Sequence, residues 1–537
     1  MKLKKHFFII YLALITILTA CTEKENIYET GKPVIQPLVP VEVYRQERGL
    51  EVPLDFEIRA IAGIQSLEVL KDGQSYDQIE FQQEDLIFTY NFSYVVEDME
   101  DGTQVNFTLR ATDKDGQQSE PFSFSVLVGP PFSITPDVLH GEQVLVVNGR
   151  INRDTIFRKE NLYLIDGDVP VEGNKTLTIE AGTTLLMKTF SDDRFSRLVI
   201  TPGSKINAAG TKDEPILFTS EKTLIGEAKW GDWAGLYLYG KASTNQGSTV
   251  FEYDYTYGGS NDNDNSGTLQ YVRIEYAGKE DQDALNFFGV GSSTQLNNLS
   301  VFECLDNAVR FKGGTASLKY LVVINHGAYG LWAEDGWRGK GQFWVFQTNV
   351  AATIVPVNFN NIARSVELRN DPNDFNLTPR TSAKLSNITM IGNGNNDTDG
   401  TRRGFRCRRG AWALAKNFIA TNFPNDAVRV EDVAQENLDN GNMVIAHVRS
   451  FDNKSNYDEL AEDYFLPNPD FNLTEEPVPG ISPSSFVGSE PSLFNPVNDP
   501  DFGNWFTSAP FIGAVENTEN DWTSDGVWVR NQDGTIR

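Results

Sequence analysis

Asp281 and Asp283 stand two residues apart in the stretch KEDQDALNF, and Arg273 and Glu275 stand two apart in YVRIEYAG. In a β-strand that spacing sends both members of a pair to one face, so Val272 and Ile274 point the other way. Two carboxylates across a sugar bond, ~5 Å apart for retention or roughly 6.5–9.5 Å for inversion, are the working parts of a glycoside hydrolase. An Arg or Lys base with calcium held by carboxylates is the lyase alternative, and it is the one route by which Ca2+ enters; no metal site and no other cofactor is expected. If the two segments lie on adjacent coils, the same four residues form a ladder of opposite charges, each exposed pair contributing about 0.2–1 kcal/mol. That ladder is the cheaper explanation, and spacing alone yields no catalytic assignment.

Aromatic residues give a different hint, because flat rings stack on sugar faces as they do on other apolar surfaces. Trp230, Trp233, Tyr237, Tyr239, Trp332, Trp337 and Trp344 come in clusters. Trp332 and Trp337, flanked by Glu334, Asp335 and Arg338, are the preferred ligand contacts; core packing is the competing use of the rest. RRGFRCRR at 402–409 is the single basic concentration. It suits either an anionic glycan or internal pairing with acids, and pairing is favoured. NNDTDG at 395–400 opens like a calcium loop, but its twelfth position is Arg406 where a bidentate glutamate is needed. NDNDN at 261–265 reads as a solvated loop tip.

The elements that must position these groups are short strands. Val52, Leu54, Phe56 and Ile58 alternate with polar partners, as do Val105, Phe107, Leu109 and Ala111, then Phe122, Phe124, Val126 and Val128. TDKDGQQSEP between the last two is a hairpin turn, although Asp113 and Asp115 could also hold calcium. About a hundred residues of this kind predict an immunoglobulin-like sandwich over 33–129, ended by Gly129-Pro130-Pro131. From 139 to 530 the theme changes to recurrent β-runs such as TLTIEAGTTLLMK, WAGLYLYGKAS and LQYVRIEYAG, each closed by a turn former. Strands without intervening helices predict a solenoid, in which stacked coils bury what one coil cannot. Asn297-Asn298 and Asn393 to Asn396 fit its turns, since Asn tolerates left-handed backbone. A larger sandwich of several Greek keys is the competing architecture.

The chain has 537 residues, a formal charge of −28 and a pI near 4.6, which argues against nucleic acid as a partner. Of three cysteines, Cys304 and Cys407 could pair or remain buried thiols. Residues 1–20 carry Lys2, Lys4 and Lys5, an apolar run from Phe7 to Ile17 and small residues before Cys21, the pattern of an export signal. That run is shorter than the ~20 apolar residues of a spanning helix. Leu18-Thr19-Ala20-Cys21 resembles the lipobox of bacterial lipoproteins, which implies an acylated Cys21 as membrane anchor. Residues 21–32 then form a polar tether. Thr22 after the cysteine favours the outer membrane.

LTIEAGTTL, ITPGSKINAAGTKDEPILFTS, WGDWAGLYLYGKA, YVRIEYAG, FKGGTASLKYLVV and APFIGAVENTENDWTSDGVW run in order through the chain. Together they resemble exported β-helix lipoproteins of the Bacteroidota. The resemblance implies a right-handed parallel β-helix of pectate-lyase-like topology, all-β, with a lateral groove for extended polysaccharide and no implied lyase chemistry. Where related chains carry an acidic cluster after the Gly-Gly motif, this one has only Glu334 and Asp335. TEKEN after Cys21 resembles the short acidic signal that sends such lipoproteins to the cell surface. Asp154-Thr155-Ile156 matches a pattern that these bacteria O-glycosylate, making Thr155 a candidate. His326 in NHG resembles part of the Gly-His-Gly of polygalacturonases, but Asn325 precedes it and the needed aspartates are absent around it, so a turn histidine is expected. The resulting expectation is a surface-anchored protein that binds a glycan or another extracellular ligand without catalysis. A polysaccharide lyase or hydrolase, or an adhesin without a sugar site, are the alternatives.

Overall fold

The computed structural model describes residues 31–537 apart from 40, 42, 84, 280, 349–362, 395–401 and 459–474. Cys21, its flanking signal and tether, and the NNDTDG stretch lie outside the described residues. The chain is all-β and divides into two compact units. One holds the described residues up to Leu38, with Val52–Tyr94 and Gln104–Val126; the other holds Val39–Glu51, Val95–Thr103 and Leu127–Arg537.

The first unit is an antiparallel sandwich. Val34–Pro37, Glu51–Arg59 and Ile87–Val95 form one sheet, and Phe122–Gly129, Gln104–Asp113, Ile64–Lys71 and Gln74–Glu80 run in that order in the other. Alternation in the sequence becomes alternation of burial: Val52, Leu54, Phe56 and Ile58 are buried while their neighbours face water or are half-buried. The core is aromatic, with Phe92 4.9 Å from Phe107 and 5.2 Å from Phe124, edge to face. Asp113 uses Oδ1 to accept the N–H groups of Asp115 and Gln117 at 3.1 and 2.7 Å, so this carboxylate closes its own turn. Among the described residues no group of three or more His, Cys, Asp or Glu could hold a metal ion.

The second unit is a parallel β-helix. One row of strands begins Asp168–Val171, Arg197–Ile200, Gly235–Tyr239 and Leu285–Phe288. It continues through Val309–Lys312, Tyr329–Glu334, Arg364–Arg369, Arg403–Arg408, Asp426–Val430 and Ser455–Tyr457. The other row includes Gly267–Glu275, Gln295–Cys304, Leu318–His326, Lys340–Gln347, Ser382–Ile391, Trp412–Thr421 and Val444–Phe451. Each of these longer strands bends at an interior residue with positive φ, namely Tyr271, Asn298, Tyr320, Phe343, Asn387, Asn417 and His447, and Glu303 and Asn325 near the ends of two of them also have positive φ. The register steps over the bend, pairing Gln270 with Asn297 and Val272 with Leu299. Hence the first and second arms of every strand face different directions, and each coil has three sides.

Inside, identical positions stack. Leu198, Leu236, Leu285, Val309, Leu331 and Val366 lie in register and fully buried. Phe287, Phe311 and Trp337 follow one another at 4.8 and 4.7 Å. Each such side chain contributes about 1.5–3 kcal/mol by leaving water. Cys304 and Cys407 are separate buried thiols. Burial pushes both well above the ordinary thiol range, which makes them packing atoms.

The second arms of the long strands are apolar on their outer side too, and a C-terminal strap covers them. Phe302, Val322, Ile324, Val345 and Ile391 pack against Phe486, Ala514, Val515, Trp528 and Val529. Polar partners fix the strap's path: Asn387 Nδ2 donates to the Phe511 carbonyl at 2.7 Å, and Gln342 Nε2 to that of Thr507 at 2.8 Å. Arg273 donates to the Val527 carbonyl at 2.7 Å.

Candidate functional site

Val309, Phe311, Leu331, Ala333, Val366, Leu368, Phe405 and Cys407 enter the core. The residues between them, Arg310, Lys312, Trp332, Glu334, Glu367, Arg369, Arg406 and Arg408, therefore project from the outer side of the first strand row. Arg310, Trp332, Glu367, Arg406 and Arg429 are register partners on successive strands. Charge on this face is dense and almost wholly matched. Glu334 accepts from Arg310 at 2.8 Å and from Arg369 Nε at 2.6 Å. Arg310 also reaches Asp283 at 3.0 Å, and Glu367 takes both Arg408 at 2.6 Å and Arg406 at 3.3 Å. Glu431 joins Arg406 and Arg429. Arg403, Arg406 and Arg408 of the 402–409 stretch thus pair with Asp426, Glu367 and Glu431, and Arg402 donates to the His326 carbonyl at 3.0 Å.

The electrostatics follow from burial set against these pairs. Burial raises the Glu334 carboxyl, but Arg310, Arg369 and Lys312 more than offset it and hold the group below its ordinary range. Asp335, buried beside Glu334 and 3.4 Å from Lys312, is pushed up to about 7. Asp306, buried near Asp283, is pushed up to about 8 and keeps its proton at neutral pH. Asp283 is itself raised by burial, against the pull of Arg310.

Several sequence expectations change here. Trp332 is flanked by Arg310 and Arg369 from the strands on either side, their guanidiniums 4.1 and 4.0 Å from its ring centre. Both indole faces are covered, so only an edge remains for a ligand. Trp337 is fully buried, stacked on Phe311, with Nε1 donating to the Ala316 carbonyl; it is a core residue and not a contact residue. Glu334 is 2% exposed and committed to its arginines. Asp281 and Asp283 share no face: Asp281 sits in a turn at φ +61 and is exposed, whereas Asp283 is buried.

Arg273 and Glu275 belong to the other strand row and form no ladder with that pair. The strap seals them in, with Glu275 fully buried and held by Arg530 and by Thr219 Oγ1 at 3.1 Å. Val272 and Ile274 do point into the core. His326 is buried, with Nδ1 against the Ala328 carbonyl, and burial lowers it to about 3. Thr155 is 9% exposed, and its hydroxyl donates to the Arg153 carbonyl. Tyr237 and Tyr239 are fully buried beneath the hairpin of Val250–Glu252 and Tyr255–Tyr257, and Trp233 and Trp344 are in the core.

An open concavity lies instead on the first arms of the long strands, a groove of about 670 Å³. Leu269, Leu296 and Leu318 turn inward. Their neighbours Thr268 and Gln270, Gln295 and Asn297, and Ser317 and Lys319 therefore line the groove, with Lys340 on the next coil. Trp505 and Asn504 of the strap form one wall. Lys319 Nζ lies 4.6 Å from the centre of the Trp505 ring and donates to the carbonyl of the same residue at 2.8 Å, which fixes the wall. Asn297 Oδ1 has no hydrogen-bond partner. The sequence does carry a signal for this site: polar–Leu–polar triplets TLQ, QLN and SLK recur once per coil. Chemically the groove offers hydroxyl, amide and ammonium groups in register, with an aromatic wall, and no acid–base pair.

No curated protein matches the chain. Among solved structures it is similar to the fibronectin(III)-like modules of Clostridium thermocellum CbhA, at 17% identity over 18% of this chain and 46% of that one, with a TM-score of 0.14. The chain thus spans about half the length of that structure. It is also similar to a family 28 exopolygalacturonase of Yersinia enterocolitica at 12% identity, over 79% of this chain and 96% of that one, TM-score 0.17. The pectate lyase Pel3 of Pectobacterium carotovorum is 8% identical over 74% of this chain and 85% of its own, TM-score 0.14. Residues 149–472 match the family described as a pectate-lyase like beta helix domain. Since that match takes in most of the chain and coincides with the coils described above, the protein belongs to the pectate-lyase-like β-helix family.

Proposed function

We propose that this protein is a lipid-anchored, outer-membrane glycan-binding protein, displayed at the cell surface, in which the β-helix holds an extended polysaccharide without cleaving it. The observation that carries the binding reading is the groove, where polar side chains on successive coils repeat at the strand spacing of about 4.8 Å beside an aromatic wall. A chain running along the helix axis meets the same kind of group at every coil. Anchoring rests on Leu18-Thr19-Ala20-Cys21, since several acyl chains on one residue hold a membrane firmly at about 0.8 kcal/mol per CH₂. The immunoglobulin-like unit serves as the spacer.

The test is incubation of the full chain in detergent with a panel of polysaccharides, measuring retention and released product together. Retention without release is expected. A hydrolase is the second reading: burial and the neighbouring Asp283 push the Asp306 carboxyl up to about 8, the direction a general acid needs. Release of product that is lost in Asp306→Asn would replace the binder with that enzyme. For the anchor, Cys21→Ser should move the protein from membrane to soluble fraction, and protease added to intact cells should cut it; cleavage only after lysis would place it on the periplasmic face.

A further inference from the structure

At one end of the sandwich, apolar side chains face water. Ile61, Leu86 and Ile87 are 56%, 54% and 56% exposed. Singly, such residues need no partner, but the segments that carry these three are joined: Ala60 N donates to the Leu86 carbonyl at 2.9 Å, and Ile64 N to that of Asp85 at 2.8 Å. Phe81 and Phe88, half-buried and edge to face at 4.8 Å, stand beside them. An apolar patch of this kind, rimmed by polar groups, marks an interaction surface. The same end receives the N-terminal chain. Val34 pairs with Arg59 in antiparallel register, which carries Pro33 and Lys32 toward Ala60 and Ile61, and Lys32 Nζ reaches Glu120 at 3.1 Å. Asp113 pairs with Ile64 here, so Gln104 at the start of the same strand, and Glu100 before it, lie at the opposite end.

We infer that this end of the sandwich rests on the lipid surface that holds Cys21, with Ile61, Leu86 and Ile87 entering the boundary between headgroups and acyl chains. This rests on the lipid-anchor reading above and adds to it which part of the anchored chain meets the membrane. Only the ten residues 22–31 separate Cys21 from Lys32. Such a segment reaches at most ~40 Å when fully extended and about 20 Å as a flexible chain, so the patch stays close to the bilayer. That closeness is what makes a small patch sufficient. Three aliphatic side chains hold a free protein on lipid only weakly, but a short tether turns the contact into an intramolecular one. Among the described residues at this end, Lys32 and Lys114 stand against Asp85, Asp115 and Glu120. Charge is therefore close to balance here, in a chain of −28 overall. A second copy of the chain is the other occupant for such a patch, but three side chains fall far short of the area that a stable dimer buries.

Spin labels placed one at a time on Ile61→Cys, Leu86→Cys and Glu100→Cys in the acylated full chain test this, because Cys304 and Cys407 are buried and an acylated Cys21 offers no thiol. The chain is reconstituted into vesicles of phosphatidylcholine and phosphatidylethanolamine in equal parts. Collision of each nitroxide with oxygen is compared with its collision with a water-soluble nickel chelate, and the soluble Cys21→Ser chain gives the value in buffer. We expect the oxygen-to-nickel ratio to rise several-fold in vesicles at Ile61→Cys and Leu86→Cys and to keep its value in buffer at Glu100→Cys. Salt should leave the rise unchanged, since the contact is apolar. Adding Ile61→Ser and Ile87→Ser should return the label on Leu86→Cys toward its value in buffer, with the melting temperature unmoved because both side chains are exposed. Values as in buffer at Ile61→Cys and Leu86→Cys, in a chain that floats with the vesicles, would overturn the inference and leave the anchor reading intact. A lipid-like ratio at Glu100→Cys as well would also overturn it. So would shielding from both collision partners in the soluble chain, which would assign the patch to a second copy. A full chain that does not float with the vesicles would remove the anchor reading, and this inference with it.

Discussion

Two outer faces of the same β-helix carry cationic side chains, and they differ in what those side chains touch. On the face around Trp332, Arg310, Arg369, Arg406 and Arg408 are closed in by Glu334, Asp283, Glu367 and Glu431. In the groove, Lys319 and Lys340 have no carboxylate partner among the described residues, and the surrounding polar groups are half-exposed. A buried pair satisfied on all sides holds coils together but has nothing left to offer a ligand. Density of charge therefore marks the structural face, and unmatched charge marks the face proposed to bind.

The comparison breaks most visibly at Glu334. Glu334→Ala strands Arg310 and Arg369, and urea unfolding should show a loss of about 3–5 kcal/mol. Lys340→Gln should stay within about 0.5 kcal/mol of the parent; equal losses at both positions would erase the distinction. Trp337→Ala should cost a similar ~3–5 kcal/mol through its cavity and leave polysaccharide affinity unchanged at temperatures where the variant is folded.

A pH series sharpens the contrast next. Asp306 is raised to about 8 and Asp335 to about 7 in the folded chain, against an ordinary carboxyl near 3.9 when unfolded. Between those values the folded state holds more protons, so the contribution of these two groups to stability is full below about pH 4 and is lost as pH rises through 7 to 8. Asp306→Asn should flatten that slope in denaturation midpoints measured from pH 5 to 8, while Lys340→Gln should leave it unaltered. The smallest effect is expected at Trp505→Ala. Losing the contact with Lys319, worth about 0.5–1 kcal/mol, should lower polysaccharide affinity a few-fold with little change in melting temperature.

Alternation was legible in the residues themselves: Val52 to Ile58 and Val272 with Ile274 read directly as inward-facing, because a strand's period of two needs no partner to be seen. Asn298 likewise announced its left-handed bend, and Asn387 and Asn417 bend in the same way, but Tyr271, Tyr320 and Phe343 share that conformation without any local sign. There the rings are held from a distance, Tyr271 by Trp528 at 5.6 Å and Tyr320 by Trp522 at 5.0 Å. The pair Arg273 and Glu275 depends on distant chain in the same way. Glu275 meets Arg530 and Arg273 meets Val527 across some 250 residues of chain, so the strap that turns an exposed pair into a buried one is invisible to local spacing. Trp332 looked like a platform until strands before and after it supplied a guanidinium to each face.

In the proposed function the open groove, and not the paired face, holds the polysaccharide. Amide hydrogen exchange of the full chain, with and without a saturating polysaccharide that it retains, tests it most directly. Slowed exchange is expected in peptides containing 267–270, 295–297, 317–319 and 504–505, with 329–334 and 403–408 unchanged. Slowing confined to 329–334 and 403–408 would contradict it.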